Sequence, residues 1–172
     1  MAVIELKRRL QTTQRVEIAK KSRPQIFIAH NSLSKKFLDN IKKEIETEKV
    51  LAFIANKETE KENFAEKIMR AIDDSSAFFA ILTKKAFKKQ VIRDWIHFEF
   101  GLAGGKHKKN AQNVVRQFHI YVWKDIATDI PNLNPLKNIE AFRSVKINSK
   151  KSKNEMLKEM RDIANRIAVT NL

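Results

Sequence analysis

The chain has 172 residues, 42% of them hydrophobic, and carries 35 lysines and arginines against 20 acids for a formal charge of +15. That length suits one domain with a buried core, and the apolar fraction excludes a disordered chain. Cysteine is absent, which excludes disulfides, Cys-ligated zinc and thiol nucleophiles and fits a cytoplasmic protein. The N-terminus Met1-Ala2-Val3-Ile4-Glu5 lacks the order of a signal peptide, and no apolar run approaches the length that spans a bilayer, so no membrane partner is expected.

Residues 1–23 read as a separate basic segment, an amphipathic helix over 2–20 with Val3, Leu6 and Leu10 on one side. Pro24 ends it, and the domain proper is expected over 24–172. Gln25-Ile26-Phe27-Ile28-Ala29 is a short β-branched and aromatic strand that ends at His30-Asn31-Ser32. Ser32 or Ser34 caps the next helix, with Phe37, Leu38, Ile41 and Ile45 facing inward. Val50-Leu51-Ala52-Phe53-Ile54 is a second strand. A polar loop from Asn56 to Glu62 leads to a helix with Phe64, Ile68, Met69 and Ile72 inward, closed by Asp73-Asp74-Ser75-Ser76. Ala77-Phe78-Phe79-Ala80-Ile81-Leu82 is almost wholly apolar, as in a strand covered on both faces.

A helix through Trp95 follows, with a stop expected at Gly104-Gly105. Phe118 to Trp123 is a fourth strand, and residues 124–140, with Pro131 and Pro135, are mostly loop. Phe142 to Ile147 alternates as an edge strand does. A last helix places Met156, Leu157, Met160, Ile163, Ala164 and Ile167 at helical spacing. Strands alternating with helices specify an α/β fold: a flavodoxin-like open parallel sheet of five strands with helices on both faces. In such a sheet the ligand crevice lies at the carboxyl ends of the strands, where strand order switches, here between the first and third strands.

The charge raises nucleic acid as a partner. Lysine is spread along the chain and mixed with glutamate, as in Lys42-Lys43-Glu44-Ile45-Glu46, and it outnumbers arginine, whereas specific phosphate and base contacts favour arginine forks. Nucleic acid is therefore possible but not favoured. The densest basic stretch, Lys84 to Lys109, flanks the Trp95 helix. It is either a positive rim that draws in an anionic small molecule or a solvated surface.

Asp94-Trp95-Ile96-His97-Phe98-Glu99 carries the most information. Trp95, Phe98 and Leu102 have the i, i+3, i+7 spacing of a core-facing stripe. Glu99 falls at the edge of that stripe, one turn from Trp95, where a carboxylate is costly to bury without a partner or a task. It is either a solvated helix acid or a functional one, and the topology that sets this helix after the third strand, beside the crevice, favours the second.

With these residues the chain resembles a TIR domain. Ile26-Phe27-Ile28-Ala29-His30 resembles the family's F-I-S-[YH] first strand, and Ile68-Met69-Arg70-Ala71-Ile72-Asp73-Asp74-Ser75 its I-x-x-A-I-x-x-S. Trp95-x-x-x-Glu99 is similar to the W-x-x-x-E of the NAD-cleaving members, and Gly101-Leu102-Ala103 is similar to bacterial and archaeal forms. Ala29 stands where Ser is usual, and residues 55–63 lack the Gly and Pro of the family's BB loop. The resemblance implies hydrolysis or cyclisation of NAD at the nicotinamide–ribose bond in a signalling or defence setting. Glu99 is then the essential carboxylate, and His30, Asn31, Trp95 and Phe64 are candidate contacts to the dinucleotide. NAD is the substrate and no further cofactor is required. Homo-oligomerisation through TIR–TIR contacts and an upstream sensor protein are the implied partners.

The chemistry suits a glutamate, because cleavage of an N-glycosidic bond passes through an oxocarbenium-like sugar that a carboxylate stabilises. Two other readings stay open: a non-catalytic adaptor that works by assembly, and a basic nucleic-acid-binding protein. The four histidines are scattered and lack cysteine partners, so no metal site is expected. Gly101, Gly104 and Gly105 do not form a phosphate loop, since they follow the helix start rather than precede it.

Overall fold

The computed structural model describes residues 23–30, 33–55, 64–83, 90–110, 118–125, 141–147 and 149–170. The expected N-terminal helix and Asn31 lie outside the described residues. The strands are β1 (Gln25–His30), β2 (Leu51–Ile54), β3 (Ser75–Leu82), β4 (His119–Asp125) and β5 (Ala141–Val145). They form one parallel sheet in the order β2-β1-β3-β4-β5, the flavodoxin-like arrangement expected from the alternating pattern. The register aligns Ile28 with Ile54 and Phe79, His30 with Ile81, and Leu82 with Lys124. The carboxyl ends therefore finish on a common rim, and β1 and β3 meet at the point where strand order reverses.

Period-two alternation divides the strand side chains between two cores. Ile26, Ile28, Ala77, Phe79, Ile81 and Trp123 face α1 (Lys35–Ile45) and α4 (Lys150–Thr170). Phe27, Ala29, Phe78, Ala80, Leu82, Ile120 and Val122 face α2 (Phe64–Asp73) and α3 (Gln90–Asn110). Ser34 caps α1: its backbone is extended, and its Oγ accepts the Phe37 N–H at 3.3 Å. Phe37, Ile41 and Ile45 fill the inner face of α1, and Leu38 is only half-buried. In α2 the inner face is Ile68, Ala71 and Ile72. Met69, expected inward, is 44% exposed, because one residue turns about 100° around a helix.

Helices α1 and α4 lie side by side and run the same way. The Lys153 ammonium sits 5.2 Å from the centre of the Phe37 ring, and further along Arg161 pairs with Glu44. Met156, Met160, Ile163, Ala164, Ile167 and Ala168 form the buried stripe of α4. On its flank Glu159 accepts the Trp123 indole N–H at 2.9 Å and the Arg143 Nε–H at 3.0 Å, tying α4 to β4 and β5.

The stop expected at Gly104-Gly105 does not occur: α3 continues to Asn110. Tethers beyond the glycines hold the helix. The Lys106 ammonium donates to the carbonyls of Ile72 (3.0 Å), Asp73 and Ser75, at the end of α2 and the start of β3. That is the end of a helix where a cation is favoured. The His107 Nδ1–H donates to the Phe118 carbonyl at 2.7 Å. These bonds outweigh the roughly 1 kcal/mol that each interior glycine costs.

Candidate functional site

Helix α3 buries Ile96, Phe100 and Ala103 at i, i+4 and i+7, and Glu99 falls within that stripe. The expected stripe of Trp95, Phe98 and Leu102 is instead its half-buried flank. The phase is set by shape. Phe100 packs edge-on against Phe78, ring centroids 5.2 Å apart, and Ala103, fully buried, takes up little space between helix and sheet. Rotation to this phase moves Glu99 from the edge of an apolar stripe into the interior, where it is 2% exposed.

Among the described residues the buried polar or charged side chains are Ser75, Thr83 and Glu99, so Glu99 is the one buried acid there. Ser75 is explained locally: its Oγ–H donates to the Ala71 carbonyl at 2.6 Å, closing the turn from α2 into β3. Glu99 is an acid, and burying a carboxylate carries a desolvation cost that its surroundings must offset.

Lys106 reaches the start of β3 and Phe100 its middle, so α3 descends from the rim toward the amino ends of the strands. Glu99 therefore lies below the rim at mid-strand depth, and Trp95 stands one turn nearer the rim. Phe64, the first residue of α2, meets Trp95 at 5.0 Å with rings at 77°, and Trp95 meets Phe98 at 5.5 Å and 87°. These edge-to-face contacts make an aromatic wall between α2 and α3 above the acid. The structure thus brings Phe64 of α2 against Trp95 of α3, two residues far apart in sequence, beside the helix that carries Glu99.

His30 ends β1 and is half-buried. Its Nε2 lies 3.2 Å from the Ala55 carbonyl. A carbonyl only accepts, so Nε2 carries the hydrogen, and the ring ties the end of β1 to the end of β2. Thr83, the residue after β3, is buried at the same switch point. Sequence reasoning sets the Thr83-Lys84-Lys85 loop at this switch without counting Thr83 among the candidate site residues. The available signal was its position, the first polar residue after an apolar strand at the strand-order reversal. Among the described residues no group of three or more His, Asp or Glu side chains is arranged to hold a metal ion.

A family model of the TIR domain matches residues 26–157, well over half of the chain. The chain belongs to the TIR domain family. No curated protein matches it. The match takes in all five strands, the Phe64–Trp95–Phe98 wall and Glu99, so the buried acid is part of the TIR domain itself and not of an appended segment. Among the described residues of this TIR domain, no helix is long and apolar enough to cross a membrane.

Proposed function

We propose that this TIR domain cleaves NAD at the nicotinamide–ribose bond, with Glu99 as the essential carboxylate. One observation supports the reading: an acid 2% exposed on the core side of α3, one turn from an aromatic wall between α2 and α3. In this reaction the C1′–N bond breaks and its electron pair leaves with neutral nicotinamide. The positive charge that develops on the ribose is stabilised by the Glu99 carboxylate in a site of low dielectric. Water then adds at C1′ and its proton passes to Glu99 or to solvent. An adenine nitrogen adding instead gives the cyclic product. Trp95 and Phe64 offer the apolar surface on which a ring stacks, while His30, at the end of β1, and Asn31, next in the chain, are further contacts to the dinucleotide. No metal or further cofactor takes part.

The protein is proposed to act in the cytoplasm, as a signalling or defence module that assembles through TIR–TIR contacts under the control of an upstream sensor. A second reading rests on the same burial. An acid so enclosed also suits a structural residue in a non-catalytic assembly module. Incubation of wild type and Glu99→Gln with NAD, with products separated by chromatography, decides between them. Nicotinamide release that falls by about 10²–10³-fold in the variant supports the enzyme. No release from concentrated, clustered wild type supports the assembly module.

A further inference from the structure

Helix α1 follows β1 and α4 follows β5, so both begin at the carboxyl rim, and the Lys153–Phe37 contact sets their first turns side by side. Five lysines occupy those first turns or the residue beyond: Lys35 and Lys36 on α1, and Lys150, Lys151 and Lys153 on α4. Lys146 follows β5, and Lys124 lies in register with Ser144 near the ends of β4 and β5. Neither helix has an acid in its first turn.

This placement opposes the helices' own electrostatics. The start of a helix carries partial positive charge, and a cation there costs about 0.3–1 kcal/mol where an acid would stabilise. Among the described residues no carboxylate comes within ion-pair distance of Lys35, Lys36, Lys146, Lys150 or Lys151, although Asp39, Asp125 and Glu155 are close in sequence. Further along the same two helices the pattern reverses: Lys42 pairs with Glu46 at 3.6 Å, and Arg161 pairs with Glu44. Lys35, Lys36, Lys146, Lys150 and Lys151 thus collect at one edge without a carboxylate partner among the described residues, and those in the first turns of the helices stand where a cation is disfavoured.

We propose that this edge, formed by the first turns of α1 and α4 with the ends of β4 and β5, binds the phosphate backbone of a nucleic acid. Lys35, Lys36, Lys146, Lys150 and Lys151 are exposed and spread over separate elements instead of converging on a cavity, which suits an extended polyanion better than a single phosphate. Lysine acts as a point charge and suits contacts that do not read sequence. A membrane surface fits less well. The large exposed apolar side chains of the described residues are Met69, Val91 and Val169; none belongs to α1, and Val169 is at the far end of α4. This inference does not rest on NAD cleavage.

The test is fluorescence anisotropy of a labelled single-stranded oligonucleotide of about 20 nucleotides, longer than one site. It is titrated with the full chain between about 50 and 200 mM salt. The variant carries Lys35→Gln, Lys36→Gln, Lys150→Gln and Lys151→Gln. A charge-matched control carries Lys43→Gln, Lys49→Gln, Lys108→Gln and Lys109→Gln, at the opposite end of the strands. The rim variant is expected to weaken binding at least about tenfold and to flatten the log–log salt dependence by up to about 3, at roughly 0.7 per lost contact. The control is expected to change affinity much less, and the rim variant is expected to melt at or above the wild-type temperature. The proposal is overturned if wild type does not bind, if both variants weaken equally, or if the rim variant melts lower than the control. Binding of wild type to anionic phosphatidylserine vesicles but not to the oligonucleotide also overturns it, in favour of a lipid surface.

Discussion

The two faces of the sheet solve the same packing problem with different materials. Beneath α1 and α4 no acid is buried among the described residues, and two acids at the margin of those helices are paired: Glu44 with Arg161, and Glu159 with Arg143 and the Trp123 indole. Beneath α2 and α3 the core is equally apolar except for Glu99. The α1/α4 face proves that this sheet can be covered without burying a carboxylate. The proposed role of Glu99 in NAD cleavage would give the α2/α3 face a reason to hold an acid that the α1/α4 face does without.

The sharpest way to break this comparison is to perturb each face at its most buried point. Phe79→Ala removes a fully buried ring that packs edge-on against Tyr121 and Trp123. It is expected to cost about 3–5 kcal/mol in urea unfolding, as large aromatic truncations do. Glu99→Gln, on the other face, is expected to lower NAD cleavage by about 10²–10³-fold while changing stability far less than Phe79→Ala. If Glu99→Gln unfolds the chain as severely, the acid is structural and the contrast between the faces disappears.

Smaller effects sharpen the same contrast. Glu159→Ala strips the indole N–H of Trp123 and the Arg143 guanidinium of their shared acceptor. A loss of about 1–3 kcal/mol is expected by thermal or chemical melting, with no change in NAD cleavage. On α3, a Cβ added at Gly101 or Gly105 would meet nothing within 4 Å. Gly101→Ala and Gly105→Ala are each expected to stabilise the protein by about 0.5–1 kcal/mol, read as a raised melting temperature. A loss of stability at either position would show that the bonds made by Lys106 and His107 depend on a helix the glycines allow to adjust.

Sequence by itself determined the elements and their order. Short apolar runs between polar helices leave a parallel sheet as the way to bury both faces, and the five strands follow from that pattern; the flavodoxin-like order expected of them is the β2-β1-β3-β4-β5 order found. It also marked the W-x-x-x-E spacing that ends at Glu99. What it left open was rotational phase and termination, because both depend on contacts distant in the chain. Around Trp95 two apolar stripes compete, Trp95/Phe98/Leu102 and Ile96/Phe100/Ala103. Only the meeting of Phe100 with Phe78 selects the second and carries Glu99 into the interior. Gly104-Gly105 reads locally as a stop, yet Lys106 and His107 find carbonyls on other elements that keep α3 wound to Asn110. Local propensities are worth about 1 kcal/mol per residue, and tertiary hydrogen bonds and buried rings exceed that wherever the fold brings them together.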